Sequence, residues 1–237
     1  MSRWSRRTAG FFRDARITPG AMWLLVAEVG LSLVFALLGP AGRLWFSRNL
    51  IATDATVWSE FKLWTLVTSP FVEVRFIGLL FHGLMLWTFL PALEKWWGTR
   101  RFVGFALGTS AVAAAVGTLA GTWLPGEQFV AGLDATIFAG VVAYGVVFAR
   151  SRVYFFAVLP MTGRQLAYGM VGLAALMVVV GGQWATGAGW AAAMLLALGL
   201  TSNALNPRIA WLRWRERRLR RRLKVLRGGA DDHRWMN

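Results

Sequence analysis

Residues 102–124 read FVGFALGTSAVAAAVGTLAGTWL, 23 positions without an ionisable side chain. A helix rises about 1.5 Å per residue, so about 20 apolar residues cross the roughly 30 Å of hydrocarbon in a bilayer. This stretch therefore reads as a transmembrane helix. Five runs of similar character surround it, at Ala21–Gly39, Phe76–Leu93, Leu133–Ala149, Leu166–Gly182 and Ala185–Leu205. Together they predict an all-α membrane protein with a bundle of six transmembrane helices. Composition agrees: of 237 residues 57% are hydrophobic and 16% charged, and the mean hydropathy is +0.50, whereas soluble domains carry about 25% charged residues.

The formal charge of +15 would suit a nucleic-acid binder if it lay on one surface. It does not. Of the 26 basic residues, 22 fall in the two chain ends and in the second and fourth connections between runs. The other four, Arg43, Arg48, Lys62 and Arg75, lie in the long first connection. Six spans with both termini cytoplasmic satisfy the positive-inside rule, and no nucleic-acid partner is expected. The organisation predicted is a basic cytoplasmic tail at 1–20, a membrane domain at 21–205 with a long outer loop at 40–75, and a basic amphipathic tail at 206–237. That last tail sets Leu212, Leu219, Leu223 and Leu226 among Arg217, Arg218, Arg220, Arg221, Arg222 and Lys224. It reads as a cationic helix on the anionic lipids of the cytoplasmic face.

Trp23, Trp64, Trp96, Trp97, Trp123, Trp184 and Trp211 stand near run ends, as in an interfacial aromatic belt. The aromatics of the first connection place it on or in the outer leaflet. Gly104, Gly108, Gly117, Gly121, Gly140, Gly145, Gly169 and Gly172 are expected to let helices approach closely. The chain has no cysteine, which excludes disulfides, thiolate metal sites and a cysteine nucleophile.

Charged groups at membrane depth cost roughly 2.5 kcal/mol or more on insertion scales, so each needs a reason. Glu28, His82 and Asp134 are the three in question. Asp134 is expected to pair with His82. Glu73 and Arg75 are read as close enough to the interface to reach water. No cofactor and no metal are expected, because Asp134 and His82 supply two donors where zinc takes at least three from protein.

Four stretches carry a family resemblance: WTLVTSPFVE (64–73), LPALEKWWGTRRF (90–102), GLDATIFAG (132–140) and GAGWAAAMLLALG (187–199). In order and spacing they resemble the rhomboid superfamily of intramembrane serine proteases, over about Phe61 to Leu205. They are also similar to its non-proteolytic TMEM115 / DUF1751 branch. The resemblance implies a serine on the fourth helix, a histidine base on the sixth, and a histidine and asparagine on the second that hold the oxyanion. Those positions fall here on Asp134, Gly189, Gly78 and His82. A hydroxyl needs a base, and the oxyanion needs donors, so the substitutions predict a pseudoprotease that binds transmembrane segments of other membrane proteins without cutting them. Thr136 offers no rescue, since two residues along a helix turn it about 200° from the site. The alternatives are an active protease using other residues, and a proton or ion path through Glu28, His82 and Asp134. The richness in alanine, arginine and glycine suggests a bacterial inner membrane.

Overall fold

The computed structural model describes residues 17–124, 129–155 and 159–202, with backbone alone at 152–155 and 159. The two basic tails, with Arg217, Arg218, Arg220, Arg221, Arg222 and Lys224, lie outside the described residues, apart from the few positions before Ala21.

Every predicted run contains a helix. In chain order they are α1 (Pro19–Leu37), α4 (Phe76–Thr88) followed by α5 (Leu90–Trp97), α6 (Thr99–Gly121), α7 (Asp134–Val147), α8 (Gly163–Gly181) and α9 (Trp184–Thr201). Among the described residues α1, α6, α8 and α9 are long and apolar enough to cross a membrane. A fifth path exists if Thr65–Phe71 and α4, bent by 92° to each other, are one span. The second predicted run is therefore not one straight helix. It breaks at Phe89, and Pro91, which lacks an N–H to give, sits in the first turn of α5. The fourth run is short for a different reason. The 14 residues of α7 reach only about 21 Å, and all of them from Asp134 to Gly145 are buried. This helix is the centre of the bundle, packed against its neighbours on all sides.

Local chemistry sets the ends. Pro19 opens α1, Thr162 and Gln165 form a reciprocal capping box on α8, and Gly182, at φ 65°, closes α8 in the left-handed region. Phe102, Phe138, Met85, Leu86, Leu90 and Leu93 fill the core.

The first connection is structured. It forms α2 (Pro40–Leu50), β1 (Ala52–Thr53), a π-helical turn at Ala55–Ser59, α3 (Thr65–Thr68) and a 3₁₀ turn at Ser69–Phe71. β1 pairs antiparallel with β2 (Phe129–Val130), joining the first connection to the third. The fourth connection is an antiparallel pair, β3 (Arg152–Phe155) with β4 (Leu159–Thr162), where the sequence reading has only a loop.

The glycines divide. A Cβ on Gly117 would lie 2.7 Å from Val130, and one on Gly145 2.4 Å from Ala167, so these two do allow close approach. Gly104, Gly108, Gly169 and Gly172 would meet nothing within 4 Å. Their expected role in helix packing is not found, because they lie on open faces. Trp23, Trp64, Trp96, Trp123 and Trp184 are exposed.

Candidate functional site

Four segments bring ionisable groups to the start of α7. On α1, Glu28 and Ser32 are one turn apart and face inward, both buried. Ser32 Oγ accepts the backbone N–H of Glu73 at 2.9 Å. The loop before α4 is also tied to β2: the Ser69 hydroxyl donates to the Val130 carbonyl, and the Gly132 N–H to the Ser69 carbonyl at 3.2 Å. These bonds fix Glu73 beside the first turn of α7.

His82, fully buried on α4, is held from both sides. Its Nδ1 stands 2.5 Å from Glu28 Oε1 and its Nε2 2.9 Å from Asp134 Oδ1. The expected Asp134–His82 contact is thus present, and Glu28 extends it into a chain across three helices. Arg75 completes the group. Its backbone N–H and Nε donate to Glu73 Oε1 at 2.8 and 3.3 Å, and its Nη2 to Asp134 Oδ2 at 3.4 Å.

Glu73 requires a correction. The sequence reading placed it near water, yet its side chain is 2% exposed. Two glycines make the room. A Cβ on Gly78 would lie 2.7 Å from the Glu73 carboxyl carbon, and one on Gly132, at φ +79°, 2.5 Å from Glu73 Oε2. Such a contact would force the carboxylate out. The two-donor count falls with it: Glu73, His82 and Asp134 each offer a ligand atom, and these lie within 4.8 Å of one another. The signal available in sequence was the pair of glycines, one of them a turn before His82. Without the fold nothing linked either to residue 73.

Glu73, Arg75 and Asp134 of this group form one wall of a cavity of about 220 Å³, lined also by Val74, Phe129, Ala131, Gln183 and, on α9, Thr186 and Trp190. Trp190 packs edge-on against Phe138 of α7, ring centroids 4.9 Å apart. Thr186 is 8% exposed, and its buried hydroxyl has no hydrogen-bond partner among the described residues.

Gly189, the position of the base in the family pattern, is buried between α9 and α6. A Cβ there would lie 2.4 Å from the Ala113 carbonyl oxygen and 3.3 Å from Gly117 Cα. No side chain fits while the two backbones stand that close. Thr136 turns away from the cavity as expected: its hydroxyl contacts Ser110 Oγ at 2.5 Å and donates to the Ala106 carbonyl on α6.

Similarity to known proteins runs in the same direction. The chain is 27% identical over 153 residues, 65% of its length, to the protein named "Putative rhomboid protease YdcA" of Bacillus subtilis (strain 168), covering 69% of that protein. The model of the family described as "Eukaryotic integral membrane protein (DUF1751)" matches residues 22–202. With its apolar helices around a buried α7 and a polar cavity at the start of that helix, this chain belongs to the DUF1751 family of rhomboid-like integral membrane proteins.

Proposed function

We propose that this protein is a rhomboid pseudoprotease, which receives transmembrane segments of other membrane proteins at the cavity beside Asp134 and holds them uncut. One observation carries the reading: the base position, Gly189, has its side-chain space filled by the Ala113 carbonyl. Proteolysis by a hydroxyl needs a general base within hydrogen-bond reach. His82 is committed to Glu28 and Asp134, and the nucleophile position is a carboxylate engaged by Arg75.

The rest of the proposal follows from charge and length. Six spans with both termini in the cytoplasm put the cavity on the outer side, with the short α7 completing the bundle within protein and α4 turning Phe76, Ile77 and Leu80 outward to lipid. The basic residues of the two tails then meet anionic lipid on the inner face. The membrane proposed is the bacterial inner membrane.

A binding experiment with cleavage scored in parallel tests the function. Purified full-length protein in lipid nanodiscs is titrated with a fluorescent single-span peptide, and the peptide is weighed afterwards. Saturable binding of intact peptide is expected, lost in Ala131→Trp, which fills the cavity. Cut peptide, or equal binding by that variant, would overturn the reading.

A further inference from the structure

We infer that Glu73, His82 and Asp134 form a binding site for one first-row divalent metal ion, with Glu28 orienting the histidine. This does not rest on client binding: the site can hold a metal whether or not a peptide enters the cavity.

Geometry comes first. The three donor atoms lie within 4.8 Å of one another, and His82 Nε2 is already 2.9 Å from Asp134 Oδ1. Around a tetrahedral zinc, with bonds of about 2.0–2.2 Å, neighbouring donors sit roughly 3.4 Å apart. A pair at the 4.8 Å limit therefore has to close by about 1.4 Å. Gly78 and Gly132 leave the Glu73 carboxylate its place. The Glu28–His82 contact matches the usual arrangement behind a metal-bound imidazole, in which the far N–H donates to a carboxylate and turns the other nitrogen's lone pair to the ion.

Proton counting points the same way. A neutral imidazole has one N–H, yet both its nitrogens face carboxylate oxygens. If Nδ1 donates to Glu28, the Nε2 lone pair meets the lone pairs of Asp134 unless a cation stands between them. Charge agrees too. Three buried carboxylates face one guanidinium, and an imidazolium still leaves the group one negative charge in excess, which is costly at membrane depth. A divalent ion with neutral imidazole brings the sum to zero.

A second feature of the cavity awaits a ligand. Thr186, whose hydroxyl is buried without a partner among the described residues, lines the same cavity from α9. One imidazole with carboxylates suits zinc, manganese, iron or cobalt, and is a poor set for magnesium or calcium, which prefer oxygen alone. Arg75, half exposed and bonded to Glu73 Oε1 and Asp134 Oδ2, leaves the other oxygen of each carboxylate for the metal and supplies the remaining positive charge.

The test uses full-length protein in detergent, purified without a polyhistidine tag, stripped with chelator and titrated with Zn²⁺, Co²⁺ or Mg²⁺. About one Zn²⁺ per chain is expected by mass spectrometry, with a rise in Tm, a visible absorption band with Co²⁺, and no response to Mg²⁺. His82→Ala should abolish binding. Should that variant fail to fold, the near-isosteric Glu73→Gln and Asp134→Asn keep the question decidable, since each removes a ligand charge. Glu28→Gln should weaken Zn²⁺ affinity by about 10- to 100-fold, as loss of such a supporting group does. Glu60→Gln, at an exposed carboxylate paired with Arg48 and Lys62, should bind as wild type. Wild-type protein with no zinc and no cobalt band, or with the same affinity in Glu73→Gln and Asp134→Asn, would overturn the inference and leave a proton as the compensating charge.

Discussion

Two glutamates, Glu94 on α5 and Glu73 beside α4, are both buried in this bundle, and their surroundings differ in kind. Glu94 accepts from the Thr18 hydroxyl, from the backbone N–H groups of Gly20 and Ala21 at 2.8 and 2.9 Å, and from the Thr99 hydroxyl at 2.7 Å. It supplies the acceptors that the first turn of α1 lacks within itself and ties that helix to α5 and α6. Glu73, by contrast, has one neighbouring cation shared with a second carboxylate, and a third carboxylate lies on the far side of the histidine. A carboxylate that donors surround is a staple. One crowded by other carboxylates costs stability, and that cost marks a site kept for what it binds.

Removing the staple should do the most damage. Glu94→Ala leaves buried donors unpaired at the start of α1 and is expected to cost about 3 kcal/mol or more, seen as lost folded yield and a lower Tm in detergent. Crowding α6 and α9 comes next. Gly189→Ala should cost about 1–3 kcal/mol through the Ala113 contact, and the double variant Asp134→Ser with Gly189→His should show no peptide cleavage by mass spectrometry and no labelling by a fluorophosphonate probe. The contrast between the glutamates is sharpest with equal chemistry. In metal-free protein Glu73→Gln should change thermal stability by less than about 1 kcal/mol, or raise it, since it relieves excess negative charge, whereas Glu94→Gln should lower it. A comparable loss of Tm for both would break the distinction. The smallest effect belongs to Glu60→Gln, with no measurable change at neutral pH. Lys62 and Arg48, hydrogen-bonded to Glu60, hold its carboxyl below the usual range. What it contributes is present above that range and disappears as the pH falls through it, but the pair is exposed and screened by solvent, so the difference between variant and wild type should stay within error at every pH.

Much of this was legible in the sequence because lipid makes it so. Runs such as 102–124 must be helical, since the backbone has no water to bond, and Glu28, His82 and Asp134 stood out by their cost at that depth. What stayed hidden depended on long-range pairing. Glu73 looks interfacial by position, and only the β1–β2 ladder and the Ser32 bond draw it inward. The break after Thr88 and the unbroken burial of α7 from Asp134 to Gly145 also arise from packing, which no hydropathy window registers. Gly104 and Gly117 look alike as letters, and only the neighbouring helix separates an open face from a tight one.

The closeness of α9 to α6 at Gly189 also limits what can be built there. A Cβ would lie 2.4 Å from the Ala113 carbonyl oxygen, so a histidine codon at that position would not by itself install a base: the helices would have to part first. Asp134 differs, because its side chain already has a place at the cavity wall. Main chain in contact with main chain acts as a lock, which a change of one side chain does not open.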